Sequence, residues 1–130
     1  MIKRAVVLGV SADIGQHMCR YFQEDGYEII GTWRQDFPAR DTLESLPRVS
    51  LLRCDLSRER ELDIFASFLR ERDFRWTHLL SAVGCSEPIG RFFELEFSAW
   101  QSSFNLNSTV QLGALHKLYP LRERDREVKE

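Results

Sequence analysis

The sequence predicts an α/β fold, in which a doubly wound parallel sheet is built from segments in the order β-α-β-α-β-α-β-α. Two features of its 130 residues lead to this prediction. Short apolar runs typical of buried strands alternate with longer segments whose apolar residues recur at helical spacing. Glycine, proline and polar residues separate these segments at short intervals. Such an alternation predicts right-handed crossovers, with helices on both faces of the sheet.

The first half of the chain contains two predicted strands and two helical segments. Residues 4–9 (RAVVLG) form a buried strand, and residues 13–25 form a helix that ends at the C-cap glycine Gly26. The second strand is YEIIGTW, residues 27–33, followed by a polar loop and a short helical piece around residues 43–46. The apolar face predicted for the first helix consists of Ile14, Met18, Tyr21 and Phe22.

The second half repeats this order. RVSLLRC (residues 48–54) is the third strand, and Ser57 is a suitable N-cap for the helix after it. WTHLLSAVG (residues 76–84) is the fourth strand, and a long helix is predicted from residue 98 to residue 119, before Pro120. The apolar stripe of the third helix consists of Leu62, Phe65, Phe68 and Leu69.

Size and composition predict one soluble globular domain over residues 1–130. The chain is 43% hydrophobic and 29% charged, and its net charge of -2 gives no electrostatic footprint for a nucleic acid or an anionic membrane. No apolar run approaches the ~18 residues of a membrane span, and the N-terminus lacks a cleavage site of small residues. We therefore expect a cytoplasmic protein that binds neither a nucleic acid nor a membrane.

The cysteines support the same location. Cys19, Cys54 and Cys85 are far apart and odd in number, which favours reduced thiols over a disulfide framework. No spacing of cysteine and histidine suggests zinc, so no metal site is predicted.

The turn after the first strand, LGVSADIG, has the composition of a phosphate site. A strand that turns into a helix aims the unpaired N–H groups and the positive end of the helix dipole at whatever lies above the turn. Gly9 permits the turn, Gly15 lets the helix pack near the strand, and Ser11 offers a hydroxyl. Two glycines can also serve the geometry of such a turn alone, so both interpretations stay open at this point.

Four motifs, in this order, resemble those of the short-chain dehydrogenase/reductase family. LGVSADIG resembles the family's TGxxxGIG signature, and RCDLS resembles its aspartate motif after the third strand. LLSAVG falls where the family has NNAG, and WQSSFNLNSTV places Asn107 seven residues after a tryptophan, as the family does its structural and catalytic asparagine. The resemblance covers the entire chain. It implies a Rossmann-like sheet, truncated before the fifth strand.

The resemblance also implies which residues take part in catalysis and in cofactor binding. Asn107 is the one catalytic residue carried over, and no metal is implied. The residues expected to bind the dinucleotide cofactor are Gly9, Ser11, Asp13, Ile14, Gly15, Arg34, Asp55, Leu56, Ala82, Val83 and Gly84.

Several positions depart from the family pattern. Asp13 replaces a glycine of the signature, and its carboxylate would repel a phosphate unless it points outward and caps the helix. Ser81 and Ala82 replace two asparagines whose amides brace the sheet around the cofactor. Asn107 has a second interpretation, as a mid-helix side chain that faces solvent.

The end of the second strand indicates the cofactor. An NAD site needs a carboxylate there for the ribose 2′-OH, whereas an NADP site needs a cation for the 2′-phosphate. Trp33 occupies the acidic position and Arg34 follows it, which favours NADP. The alternatives are that Arg34 is a surface arginine and that Asp36 is the acidic residue of an NAD site.

The family's chemistry also needs a serine after the fifth strand and a Tyr-x-x-x-Lys motif. The residues four places after the three tyrosines are Asp25, Gly31 and Glu123, so the motif is absent from this sequence. We expect the cofactor-binding portion of an NADP-dependent oxidoreductase acting on a small carbonyl or alcohol compound, inactive by itself. A non-catalytic nucleotide-binding or interaction module on the same scaffold is the alternative.

The fourth strand predicts association. If the chain ends before a fifth strand, the apolar edge of residues 77–83 is open. We therefore expect a homo-oligomer, unless the C-terminal tail folds back over that edge.

Overall fold

The computed structural model describes residues 2–124, which form a parallel sheet of four strands. The strands are β1 (Arg4–Leu8), β2 (Glu28–Trp33), β3 (Val49–Arg53) and β4 (His78–Ser81). They lie in the order β3-β2-β1-β4, so that β1 is flanked on both sides. Val6 of β1 pairs with Ile30 of β2 and with Leu79 of β4. This order confirms the predicted doubly wound sheet.

Helices follow each strand. They are α1 (Asp13–Glu24), α2 (Arg40–Glu44), α3 (Glu59–Glu71), α4 (Phe97–Phe104) and α5 (Val110–Leu118). A π-helical turn, Asn105–Thr109, joins α4 to α5 without a break, and we call the three together the long helix. The helix predicted over residues 98–119 is confirmed within one residue at each end. Gly26 follows α1 with φ of +84°, as expected of a glycine that ends a helix.

The sheet separates two apolar layers. Ala5 and Val7 of β1 pack with buried residues of α1 and α2, whereas Val6 and Leu8 pack with those of α3 and α5. Because successive strand residues point to opposite faces, a strand segment covered on both faces must be apolar, as residues 5–8 of β1 are. Residues buried in these layers include Cys19, Phe22, Ile29 and Leu43 on one side, and Phe65, Leu69, Ala114 and Leu118 on the other.

The buried face of α1 differs from the predicted one. Cys19 and Phe22 are buried together with Gly15, whereas Ile14 is 60% and Tyr21 is 59% exposed. A Cβ at Gly15 would overlap a carbonyl oxygen of the preceding turn, so only a glycine can lie at this contact. This close contact at Gly15 determines which side of α1 faces the sheet. The prediction that Ile14 and Tyr21 face the core is therefore wrong.

The start of α3 also differs from the prediction. Arg58, not Ser57, occupies the N-cap position, and no side chain caps the helix. Ser57 instead donates hydrogen bonds to Oδ1 of Asp55, from its backbone N–H at 3.0 Å and from its hydroxyl at 2.6 Å. The carboxylate holds the serine in the turn before the helix, so the hydroxyl does not reach the helix N-terminus.

The chain returns to the sheet after the long helix. Trp76, just before β4, forms a parallel bridge with Arg122. The Trp76 N–H donates to the carbonyl oxygen of Leu121 at 3.3 Å, and the Glu123 N–H donates to that of Trp76 at 2.7 Å. These contacts place residues 121–123 beside the start of β4, so this part of the chain folds back onto the edge that was predicted to be open. In the described part of the chain, His78–Ser81 pair with β1 alone.

Candidate active site

The turn between β1 and α1 is fixed to the end of β2. Gly9 has φ of +80°, a conformation that residues with a side chain rarely adopt. Its N–H donates to the carbonyl oxygen and to the hydroxyl oxygen of Thr32, at 3.1 and 3.3 Å. The N–H of Val10 donates to the same carbonyl oxygen at 2.8 Å. The N-terminus of α1 is thereby held at the carboxyl edge of the sheet.

A cleft of about 230 Å³ lies at this edge. Its walls come from the turn after β1 and from the residues that end or follow β2, β3 and β4, the place where sheets of this kind bind ligands. Eight of the predicted cofactor-binding residues line it. The full lining is Gly9, Ser11, Ala12, Thr32, Trp33, Arg34, Cys54, Asp55, Leu56, Ala82, Val83, Gly84 and Leu106.

Three predicted residues of the turn do not line the cleft. Gly15 is buried behind the turn, and Ile14 is exposed. Ala12 occupies the N-cap, and Asp13 is the first helical residue, exposed and without a capping hydrogen bond. The expected cap by Asp13 is therefore wrong. Its carboxylate lies in the first helical turn, where a negative charge is favourable toward the helix dipole.

Arg34 and Trp33 line one end of the cleft. Asp36, the alternative acidic residue, does not line it, and accepts a hydrogen bond from Nε of Arg40 at 2.6 Å. This hydrogen bond lowers the pKa of the Asp36 carboxyl below its ordinary value. Arg40 also lies over the Trp33 ring, with Cζ 5.1 Å from the ring centroid. This end of the cleft therefore presents a guanidinium, while Asp36 is engaged by Arg40.

Asp55 lies on the wall that follows β3. Burial alone would raise the pKa of its carboxyl, but the two hydrogen bonds from Ser57, with Arg34 and Arg58 nearby, lower it below its ordinary value. The backbone N–H of Asp55 donates to Oε1 of Glu61 at 3.0 Å. Asp55 is thus a fixed carboxylate whose position is set by α3.

Asn107 lies in the π-helical turn and contacts the chain just beyond Gly84. Its Oδ1 accepts from the N–H of Cys85 at 2.8 Å, and its Nδ2 donates to the carbonyl oxygen of Cys85 at 2.9 Å and to Oγ of Ser103 at 3.2 Å. A Cβ at Gly84 would lie 2.9 Å from Oδ1 of Asn107, so the glycine makes room for the amide. The interpretation of Asn107 as a side chain that merely faces solvent does not fit these contacts.

Five residues that line the cleft are not among the binding residues predicted from the sequence, and neither is Gln111, which contacts Val83 of the lining. The five are Ala12, Thr32, Trp33, Cys54 and Leu106. Thr32 is 1% exposed and anchors the turn after β1. Gln111 donates from Nε2 to the carbonyl oxygen of Val83 at 2.5 Å, and Leu106 lines the cleft. The positions of Leu106 and Gln111 on the predicted helix are visible in the sequence. That they reach the cleft could not be predicted, because this depends on how the long helix packs against the end of β4.

Among residues 2–124, no group of three or more histidines, cysteines or acidic residues could hold a metal ion. None of the helices in that range is long and apolar enough to cross a bilayer.

Comparison with known proteins identifies the family. The sequence matches the family described as short chain dehydrogenase over residues 3–126. It is 25% identical, over 107 residues, to Short-chain dehydrogenase reductase 5 of Arabidopsis thaliana, covering 81% of this chain and 41% of that protein.

Solved structures show the same fold. A short-chain dehydrogenase of Streptomyces avermitilis superposes with a TM-score of 0.82 at 22% identity, covering 92% of this chain and 44% of that one. A short-chain dehydrogenase/reductase of Saccharomyces cerevisiae gives 0.79 at 19%, covering 92% and 48%. The chain therefore spans less than half the length of each of these relatives. Together with the sequence match, these likenesses establish that the chain belongs to the short-chain dehydrogenase family.

Proposed function

We propose that this chain is the cofactor-binding portion of an NADP-dependent oxidoreductase that moves hydride between NADP(H) and a carbonyl or alcohol substrate. The family implies a nicotinamide dinucleotide, and the observation that supports NADP is Arg34 at one end of the cleft. A guanidinium there can grip a 2′-phosphate through two hydrogen bonds. Asp36, which could accept from a ribose 2′-OH, is engaged by Arg40 instead.

The residues of the cleft fit such a cofactor. The turn at Gly9, with its φ of +80°, lets a pyrophosphate approach the backbone, and Ser11 can donate a hydroxyl hydrogen bond. Asp55 and Leu56, which line the cleft after β3, would face the adenine ring of a bound cofactor. When bound, the nicotinamide supplies or accepts the hydride. Asn107 does not line this cleft and holds the segment after Gly84 through its hydrogen bonds to Cys85.

Binding and turnover should separate in this chain. No tyrosine of the sequence is followed four residues later by lysine, so the acid/base pair of the family is missing from it. Loss of a general acid costs roughly a hundred- to ten-thousandfold in rate. We expect weak NADPH binding and no measurable NADPH oxidation by the purified chain with a panel of aldehydes and ketones. Robust turnover would contradict this, and absence of any dinucleotide binding would favour an interaction module.

Two further parts of the proposal are a homo-oligomeric state and a cytoplasmic location. The outer edge of β4 supports the first, because His78–Ser81 pair on one side only in the described residues. The free thiols Cys19, Cys54 and Cys85 support the second.

The cofactor assignment is tested by titrating the chain with NADPH and NADH in a calorimeter, before and after Arg34→Ala. A charge-assisted contact to the 2′-phosphate should favour NADPH by roughly 1.5–3 kcal/mol, about ten- to a hundredfold. Arg34→Ala should abolish this preference and leave NADH binding nearly unchanged.

Arg60→Ala is the matched control, because Arg60 is an exposed arginine of α3 that does not line the cleft. It should change neither affinity by more than about twofold. Equal affinities of the parent chain for the two cofactors would overturn the assignment to NADP.

A further inference from the structure

A second cavity lies beside the Gly84 end of the cleft. It is a groove of about 550 Å³ between the loop that follows β4 and the first half of the long helix, and we call it the side groove. Pro88 and Ile89 line it from the loop, and Ala99 and Leu106 line it from the helix. Its volume lies within the range of small-molecule pockets, roughly 300–1,000 Å³.

The side groove adjoins the cofactor cleft. Leu106 lines both cavities, and Cys85, which lines the groove, directly follows Gly84 of the cleft. Asn107 holds Cys85 through both of its amide atoms, so the boundary between the two cavities is fixed. If Arg34 binds the adenosine 2′-phosphate, the other end of an extended cofactor lies toward Gly84 and therefore toward the groove.

The chemistry of the lining selects among substrates. The hydroxyl of Ser102 donates to the carbonyl oxygen of Ser98 at 3.0 Å, and that of Ser103 accepts from Nδ2 of Asn107 at 3.2 Å. The hydroxyl hydrogen of Ser102 is thus used within the protein, and the hydroxyl oxygen of Ser103 accepts from Asn107. Among the described residues that line the groove, Glu87 is the only charged one. A groove with apolar walls and one carboxylate favours an uncharged apolar ligand and repels an anion.

We propose that the side groove binds the apolar part of an uncharged carbonyl or alcohol substrate and that Glu87 discriminates against substrates with a carboxylate or phosphate. This proposal rests on the proposed oxidoreductase function. It adds the class of substrate, and it assigns the recognition of that class to Ile89, Ala99 and Leu106, with Glu87 at the rim.

The test uses two probes of similar shape, acetophenone and 4-acetylbenzoate, titrated into the 130-residue chain and followed by amide NMR. Acetophenone should shift the resonances of residues 85–89 and 99–106, and 4-acetylbenzoate should bind at least fivefold more weakly. Ala99→Trp, which fills the groove, should weaken acetophenone binding at least tenfold. Gln101→Trp, at an exposed position of the same helix outside the groove, should leave it unchanged.

Glu87→Gln should bring 4-acetylbenzoate to within about twofold of acetophenone. This variant changes an exposed loop residue, so it keeps the proposal testable even if Ala99→Trp fails to fold. Shifts confined to other regions, equal binding of the two probes by the parent chain, or no gain in Glu87→Gln would overturn the proposal. NADPH titrations of the same variants should match the parent, so a failure of the groove is distinguishable from a failure of the cofactor assignment.

Discussion

The side-chain amide of Asn107 pairs with the main chain of Cys85 much as a neighbouring strand would, accepting from its N–H at 2.8 Å and donating to its carbonyl oxygen at 2.9 Å. The amide lies in the π-helical turn, and Gln111, four residues on, donates to the carbonyl oxygen of Val83. The long helix therefore holds the segment after β4 by two side chains. The end of the cleft at Gly84 depends on both.

Asn107→Ala should destabilise the chain by about 1–3 kcal/mol, because it removes both hydrogen bonds and leaves the polar groups of Cys85 without these partners. Urea denaturation measures this loss. Asn105→Ala is the matched control, since Asn105 lies in the same π-helical turn and is exposed. Similar losses in the two variants would show that the pairing with Cys85 contributes little.

The strands could be predicted from the sequence because each contains a short apolar run bounded by polar or turn residues. β1 and β2 lie between layers of helices, so their runs of apolar residues stand out from the polar loops on either side. The rotation of α1 could not be predicted in this way. Ile14 and Tyr21 have the right spacing for a buried face, but the close approach at Gly15 decides which side turns inward.

The site could be predicted only in part for a similar reason. Gly9, Arg34 and Asp55 stand at the ends of predicted strands, so topology alone places them at one edge. The pairing of Asn107 with Cys85 joins residues 22 positions apart, and the contact of Asp36 with Arg40 depends on side-chain rotamers. No periodic pattern in the sequence encodes contacts of these kinds.

Gly15→Ala should destabilise the chain by roughly 3 kcal/mol or more and reduce NADPH binding. The added methyl group would overlap the carbonyl oxygen of Gly9 and lie 3.0 Å from Cα of Val10, so backbone must shift. Gly113→Ala is the matched control, because Gly113 also lies within a helix. A methyl group added there would have no atom within 4 Å other than those of its own helix backbone and its chain neighbours. That change should be neutral or stabilise by up to ~1 kcal/mol, since alanine is the better helix former. Thermal denaturation of the two variants, with and without NADPH, measures their loss of stability and their loss of NADPH binding.

The stability of the chain should fall at alkaline pH because of Cys54. Burial, reinforced by Glu61 and Asp55, raises the pKa of its thiol from 9.0 to about 12. Below pH 9 the thiol is protonated in both the folded and the unfolded chain, and its contribution is constant. Between pH 9 and about 12 the unfolded chain loses the proton first, so the free energy of unfolding falls by about 1.4 kcal/mol per pH unit from this group.

Cys54→Ala should therefore show a shallower loss than the parent when urea denaturation is repeated from pH 8 to 10.5. Cys85→Ala is the control, because that thiol is exposed. If Cys54→Ala and the parent lose stability in parallel over this range, the thiol of Cys54 is not the group responsible.

The long helix should mediate self-association. Exposed apolar residues recur along it, and they lie on a helix whose charged residues are confined to its last turn. By contrast, α3 has acidic and basic residues throughout its length, as a solvated helix does. The apolar patch, on the order of 500 Å² per copy, approaches the ~800 Å² per partner of a stable interface. Its residues are Phe97, Phe104, Leu112 and Leu115 of the long helix, and Tyr119 directly after it.

We expect sedimentation velocity of the parent chain to show association that increases with concentration, and the double variant Phe104→Glu and Leu112→Glu to sediment as a monomer. The control is Ile64→Glu, which places the same charge at a 59% exposed apolar residue of the highly charged α3 and should leave association unchanged. If the double variant still associates, the open edge of β4 becomes the candidate, and slow amide exchange through residues 77–83 at high concentration would identify it. A parent chain that is monomeric at all concentrations would contradict both interfaces, because each leaves apolar or unpaired groups exposed that association would cover.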